Sequence, residues 1–540
     1  MTAVNTPVDR AQSASILIPI RYQVLIGAII VQLILGTLYG YSLFWQPLNT
    51  EVFPPIITQA QLATMTADGI DTAGMTVVVD EAARKLQADT QKGYLTYAFS
   101  ICVLAFALTM VFAGRVQDVR GPRQTAIIGG VLMGAGFIIA SLMNYPAVFF
   151  LAHAMLTGVV GLVALMLFDA LLGSRAQVHD NPMLRYVPQA IMITVVVAGV
   201  VTAQQFVGRL GAADKVFMLW ATVGFLAGVG IGFAYVCPIA ALVKWFPSAK
   251  GLVVGIAVAG FGFGAYIFKD PNVGAAGYIG SRGISEFFLV HGVICLVGIT
   301  AGAMLLRNPP NAAAPKTGGA SGGGGDSTWR DTLRQPSFYL LWLMYFSGAM
   351  AGLMVIGITK GFIQEQLINA AVKAGATLND ELKALCSTKG LTAVGVLSIF
   401  NAVGRIVWGL VSDKIGRTPS FVVLFLFQAV AMALLGLVST DVALYTIASI
   451  IGFNYGGIFA LFPSATADLF GAKNVGANYG WLFTSYGIAG VIGIAAGNVA
   501  KTTTGSYSAA FILAAVLCVA SAGLAVILAR MIARAKAVPA

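Results

Sequence analysis

Apolar residues fall in runs too long for the interior of a soluble domain. Each run is closed by a short polar or charged segment. The runs lie at about 24–48, 94–113, 125–143, 147–172, 187–207, 216–243, 252–268 and 287–306. Six more lie at about 338–362, 391–411, 421–438, 442–461, 475–499 and 506–531. A run of roughly 18 or more apolar residues predicts a membrane-crossing helix. The pattern therefore predicts an all-α polytopic membrane protein with about 14 transmembrane helices, about eight before position 308 and six after position 335. Two polar loops interrupt it, 49–93 with Asp68, Asp71, Asp80, Glu81 and Asp89, and 363–389. The stretch 308–335 contains PPN and GGASGGGGDS, too rich in Gly and Ser to pack, and reads as a flexible linker. The predicted organisation is an N-terminal bundle at 1–307, the linker at 308–335, and a C-terminal bundle at 336–540.

A short pattern occurs twice. Gly114-x3-Asp118-x2-Gly121 follows the second apolar run, and Gly409-x3-Asp413-x2-Gly416 follows the second run after the linker. Such an internal repeat predicts two related halves of six helices each. The first half then carries two helices too many, and the inserted pair is placed at about 145–215. An even insertion leaves every later helix pointing in its original direction.

Charge refines the topology. The chain carries a net charge of +11, which raises nucleic acid as a partner. Its distribution argues otherwise. With the N-terminus in the cytoplasm, the loops on that side hold Arg115, Arg120, Arg123, Arg175, Arg185, Lys244, Lys250, Arg307, Arg330, Arg334, Lys414, Arg417 and the Arg530–Lys536 tail. The tally is roughly +12 inside against −1 outside, the asymmetry expected of a membrane protein with both termini cytoplasmic. Only 10% of the 540 residues are charged, 58% are hydrophobic, and mean hydropathy is +0.85. The lipid bilayer is the implied surroundings, and no nucleic acid is expected. The five cysteines show neither metal spacing nor a disulfide framework. With three histidines and no nucleophile–base pair in the loops, neither enzyme chemistry, a metal nor another cofactor is expected.

One charge stands out. Arg405 lies inside the run 391–411, eight residues before Asp413, and thus about 12 Å in from the end of its helix. That is near the middle of a core about 30 Å thick. A charge at that depth costs several kcal/mol unless it is paired or wet, and a guanidinium does not escape by losing its proton. The functional reading is a substrate carboxylate held by the guanidinium fork. The competing readings are a structural pairing and snorkelling to the membrane edge. Depth makes snorkelling difficult, and no acidic residue of the second half is an obvious partner. Asn401 and Trp408 in the same stretch, Tyr39 and Tyr41 at the end of the first run, and Tyr486 are the other candidate substrate-binding residues. Asp169, His153, His291 and Lys360 read as interfacial or packed side chains. Glycines at 251, 255, 260, 262 and 264, and at 487, 490 and 493, predict close helix–helix approach.

Two six-helix halves, a linker and the paired Gly-x3-Asp-x2-Gly turns resemble the major facilitator superfamily. The segments FAYVCPIAALVKWFPSAKGLVVGIAVAGFGFGA at 233–265, FYLLWLMYFSGAMAGLMVIG at 338–357, NAVGRIVWGLVSDKIGR at 401–417 and NYGGIFALFPSATADLFGAKNVGANYG at 454–480 narrow the resemblance to its oxalate/formate antiporter family. That resemblance implies a major facilitator fold and alternating access around a midplane site. It also implies that turn residues lock the halves together on the cytoplasmic side: Asp118, Arg120 and Arg123 in one half, Asp413, Lys414 and Arg417 in the other. Oxalate-type members are expected to hold a dicarboxylate between an Arg on the eighth core helix and a Lys on the eleventh. Arg405 matches the first. The eleventh helix has no Lys within 475–499, and Tyr486 stands in that region. One buried cation favours a monocarboxylate such as formate, acetate, lactate or pyruvate.

The expected function is secondary active transport of small organic anions across a bacterial-type inner (plasma) membrane, with H⁺ or a counter-transported anion as coupling partner. The alternatives are a dicarboxylate exchanger of the oxalate/formate kind, a carrier for a neutral or cationic solute, and a sensor on a transporter fold that binds without moving its ligand.

Overall fold

The structure is a computed structural model. It describes residues 19–145, 157–158, 160–161, 164–165, 187–204, 211–269, 275–310 and 326–537. Twelve long helices form its framework. In chain order they are α1 (Ile20–Leu35), α2 (Glu81–Arg120), α3 (Pro122–Ser141), α4 (Ala212–Trp245), α5 (Lys250–Lys269) and α6 (Ile284–Met304). The second set is α7 (Pro336–Lys373), α8 (Asp380–Ile415), α9 (Arg417–Leu435), α10 (Asp441–Phe470), α11 (Val475–Thr504) and α12 (Ser508–Ala537). Eleven helices among the described residues are long and apolar enough to cross a membrane, and α5 adds a shorter apolar stretch, Lys250–Gly264. The protein is a multi-pass membrane protein.

The repeated turn shows how sequence sets the helix ends. Gly121 and Gly416 close α2 and α8 with φ of +89° and +94°, a conformation that side chains with a Cβ rarely adopt. The chain then enters α3 with Pro122 in the first turn, where a missing N–H costs nothing. Both turns lie at the same end of the bundle, called here the turn end.

At the opposite, far end, the structure departs from the polar loops expected at 49–93 and 363–389. Much of that sequence is helical. α2 begins at Glu81, capped by the Asp80 carboxylate accepting from the Ala83 amide at 2.8 Å. α7 runs on to Lys373, and α8 begins at Asp380 under an Asn379 cap that accepts from Leu382 N. At 40, 38 and 36 residues, α2, α7 and α8 exceed the roughly 20 residues that a bilayer core needs. Hydropathy marks where the membrane ends, whereas caps mark where the helix ends. Two short parallel strands, β1 (Ile56–Thr58) and β2 (Thr76–Val78), sit between α1 and α2.

Most of the first inserted stretch, 147–172, lies outside the described residues, as do Asp169 and His153. The second forms a helix, Val187–Gln204, with Ile193, Val196 and Val197 exposed. Gly161 faces Met192 and Val195, and Gly199 faces Thr157, so the two stretches lie against each other.

Helices of the two sets meet in two close seams. α2 packs on α11 through Gly114 against Gly476 and Met110 against Gly480. α5 packs on α8 through Gly251 against Gly409 and Gly255 against the backbone of Arg405. A Cβ at any of these glycines would overlap a backbone atom of the facing helix. Small residues therefore set the spacing between the halves.

Candidate functional site

Arg405 is completely buried on α8. Its Nε donates to Asn401 Oδ1 at 2.9 Å, a pair one helical turn apart. Its Nη1 donates to the backbone oxygen of Val258 on α5 at 2.7 Å. Its third nitrogen, Nη2, is buried and has no hydrogen-bond partner among the described residues. Among the described residues no carboxylate lies within ion-pair distance of it. The guanidinium carbon sits 4.4 Å from the ring centroid of Phe459 on α10 and 5.6 Å from that of Phe261 on α5. Aromatic faces offset part of the cost of a buried cation, but they leave the net charge in place. Gly262 makes room: a Cβ there would come within 2.7 Å of Asn401 Oδ1 and 3.0 Å of Arg405 Nε.

The same two rings back a group of tyrosine hydroxyls. Tyr39, on the 3-10 continuation of α1 (Gly36–Phe44), lies 3.1 Å from the hydroxyls of both Tyr455 and Tyr486. Tyr455 and Tyr486 are 3.5 Å apart. Phe261 meets the Tyr39 ring edge-on at 5.0 Å, and Phe459 meets Tyr455 and Tyr486 at 5.2 and 5.5 Å. Tyr235 on α4 packs on Phe261 at 5.3 Å, and its side chain is buried. Hydroxyls from α1, α10 and α11 thus gather around the aromatic wall against which Arg405 rests.

The turn end carries a second polar assembly, built twice. Asp413, from the α8 turn, accepts from the amides of Gly251 at 3.0 Å and Leu252 at 2.8 Å, in the first turn of α5. Asp118, from the α2 turn, accepts from the amides of Gly476 at 3.3 Å and Ala477 at 2.8 Å, in the first turn of α11. Each carboxylate meets two unpaired N–H groups at the positive end of a helix from the other half. Basic residues complete both sites. Lys244 lies 3.4 Å from Asp118, and Arg417 bridges Asp413 and Asp468 at 2.8 Å each, with Lys250 on Asp468 at 2.6 Å.

These seams and reciprocal caps lie between the two sets of helices. The profile of the Major Facilitator Superfamily matches residues 185–379 and 362–539. The chain belongs to the Major Facilitator Superfamily. It is similar to an uncharacterized MFS-type transporter, YhjX, of Escherichia coli (strain K12), 24% identical over 87% of this chain and 86% of the relative. It is also similar to the oxalate:formate antiporter of Oxalobacter formigenes, 30% identical over 59% of this chain and 70% of the relative. Among solved structures it matches that of the proton:xylose symporter XylE with a TM-score of 0.52 and 14% identity, over 96% of both chains, a likeness of fold.

Within this Major Facilitator chain, the residues singled out from sequence are distributed unevenly. Arg405, Asn401, Tyr39 and Tyr486 fall in the central assembly. Tyr41 turns away and donates to the Leu95 carbonyl of α2 at 3.0 Å. Trp408 donates to Asn454 Oδ1 at 3.2 Å, between α8 and α10. Asp118, Asp413 and Arg417 join the turn-end assembly, whereas Arg120, Arg123 and Lys414 are exposed, and none of them forms an ion pair among the described residues. Lys360 is exposed, and His291 is buried against Thr37 and Cys295 at 3.1 and 3.4 Å. Sequence reasoning missed Val258, Phe261, Phe459, Tyr235 and Tyr455 at the centre, and Lys244, Lys250 and Asp468 at the turn end. A signal existed for two of the tyrosines: the pattern Ile-Gly-Phe-x-Tyr occurs in α4, ending at Tyr235, and again in α10, ending at Tyr455.

Proposed function

We propose that this protein is a secondary active transporter of small organic anions, and that it binds the substrate carboxylate at Arg405. The supporting observation is a fully buried guanidinium that, among the described residues, has one nitrogen unpaired and no carboxylate within ion-pair distance. A cation so placed is incomplete without an anion. The fork geometry of arginine suits a carboxylate. The relative named for oxalate and formate supports the same class, and the oxalate/formate antiporter family is the subgroup we favour.

Monocarboxylates such as formate, lactate or pyruvate fit better than oxalate. Where a second cation would be needed, α11 presents the neutral hydroxyl of Tyr486, bonded to Tyr39. Lys501, farther along α11, is committed to Glu365. Asn401 orients the guanidinium, and Tyr39, Tyr486, Tyr455 and Tyr235 supply neutral donors and acceptors for the rest of the substrate.

Transport proceeds by alternating access, the halves at 1–307 and 336–540 rocking about this centre. We place the turn end and both termini in the cytoplasm, in a cell inner membrane; the charge asymmetry supports that orientation. Asp118 and Asp413 then close the cytoplasmic side. The coupling partner is H⁺ or a counter-transported anion, and imposed gradients of each distinguish them.

The test is uptake of radiolabelled formate, pyruvate and oxalate into proteoliposomes. Wild type takes up the monocarboxylates, and Arg405→Ala does not. Equal uptake by both proteins would remove the assignment.

A further inference from the structure

The two turn-end caps are alike in what Asp118 and Asp413 do and unlike in what would replace them. Asn474 is the residue preceding α11 and stands at its N-cap, since the first helical bond runs from Asn478 N to Asn474 O at 3.0 Å. An asparagine there ordinarily accepts from the amide two or three residues on. Those amides belong to Gly476 and Ala477, the pair that Asp118 of the other half occupies. Asn474 accordingly makes no cap bond to its own helix. Its amide nitrogen donates to the backbone oxygen of Ser327 at 3.1 Å, and that of Asn478 donates to the same oxygen at 3.1 Å.

Ser327 belongs to the end of the linker, which here is ordered and bound. Ser327 N donates to Phe470 O at 3.0 Å, Asp326 accepts from Lys473 N at 3.2 Å, and Trp329 stacks on Trp481 at 5.6 Å. This strap gives Asn474 a second place to bond while Asp118 holds the helix end.

At α5 the corresponding position is Ala249, placed by the bond from Val253 N to Ala249 O at 3.1 Å. Asp413 takes the amides two and three residues on, at Gly251 and Leu252. Alanine has no side chain with which to replace it.

We propose that Asn474 is a standby cap. It rests on the strap while the cytoplasmic side is closed, and it takes over the Gly476 and Ala477 amides when Asp118 withdraws. Asn474 is thus a positioning residue that lowers the cost of opening at α11, a cost that α5 bears in full. The inference rests on the alternating-access reading above.

The test is double electron–electron resonance between spin labels at Val119→Cys on α2 and Ile415→Cys on α8, both exposed sites, in the full-length protein; all five native cysteines are buried. The share of molecules open at the turn end is the readout. Asn474→Ala and Asn474→Ser both lose the Ser327 bond, so the cap is read from their difference: the share open in Asn474→Ala is about five-fold below that in Asn474→Ser. Asn474→Ser caps as well but is too short to reach Ser327, and keeps the share at or above wild type. Ala249→Asn supplies the missing cap and raises the share about five-fold. If Asn474 only anchors the strap, Ala and Ser behave alike and both raise the share, and the proposal is overturned. Asp118→Ala is the control for the reading beneath it. If Asp118→Ala shifts the distribution and the Asn474 series does not, cap exchange alone fails. If none of these variants shifts it, alternating access at this end fails as well.

Discussion

Arg405 on α8 and Val258 on α5 are joined by a hydrogen bond of 2.7 Å that crosses from one half of the molecule to the other. The donor is the group we assign to the substrate. Where a bound carboxylate takes the Nη1 hydrogen that the Val258 carbonyl now accepts, this tie is removed. Substrate arrival and loosening of the α5–α8 contact are then one event. Arg405→Lys keeps the charge but not the fork. It should lower transport at least about tenfold, in line with the loss of a charge-assisted hydrogen bond, and Arg405→Ala should abolish it. Initial uptake rates in proteoliposomes check both.

Asn401 offers a separation of stability from function. Asn401→Asp places a carboxylate where Oδ1 now accepts from Arg405 Nε at 2.9 Å. The buried cation gains a permanent partner, so thermal stability should hold or rise. Substrate affinity should fall at least about tenfold, because the protein's own carboxylate now fills the role left to the substrate. A melting curve and an uptake assay on the same preparation measure the two effects. Loss of both together would point to misfolding.

In the proposed site, Tyr486 is the neutral group where a second cation would be needed. Tyr486→Lys adds a second cation on α11 beside the aromatic wall that Arg405 faces. The ratio of oxalate to formate uptake should rise about tenfold or more, since a second carboxylate acquires a charge-assisted partner. Competition of each anion against labelled formate measures the ratio. An unchanged ratio would place the second carboxylate elsewhere.

At the turn end the structure ranks the basic residues. Lys244, Lys250 and Arg417 contact Asp118, Asp468 and Asp413, and their replacement by Ala should slow transport several-fold. Arg120, Arg123 and Lys414 are exposed, and their replacement should stay within about two-fold. Gly409→Val should prevent closure outright, because the backbone of Gly251 occupies the space. Labelling of a cysteine introduced at the turn end, by an impermeant thiol reagent in vesicles that expose that end, reports the state of the gate.

The spans were legible because apolar run length is a strong signal, and the repeat was legible because Gly121 and Gly416 sit at backbone angles that favour glycine. Arg405 was legible because charge in such a run is costly. Helix extensions at the far end were not, although Asp80 and Asn379 are ordinary caps, because hydropathy does not report helices in water. The aromatic wall was hidden for another reason. α10 is buried along most of its length, so Tyr455 and Phe459 carry no periodicity that separates them from packing residues. Asp468, Lys244 and Lys250 sit at helix ends, where only the three-dimensional meeting of two halves gives a charge its partner.

The central claim is that a buried guanidinium waits for a carboxylate. Isothermal titration of purified wild type with formate and pyruvate, set against formamide and pyruvamide, tests it most directly. The account predicts that the carboxylates bind, that their uncharged amides do not, and that Arg405→Ala binds neither. Equal binding of acid and amide, or carboxylate binding that survives Arg405→Ala, would contradict it.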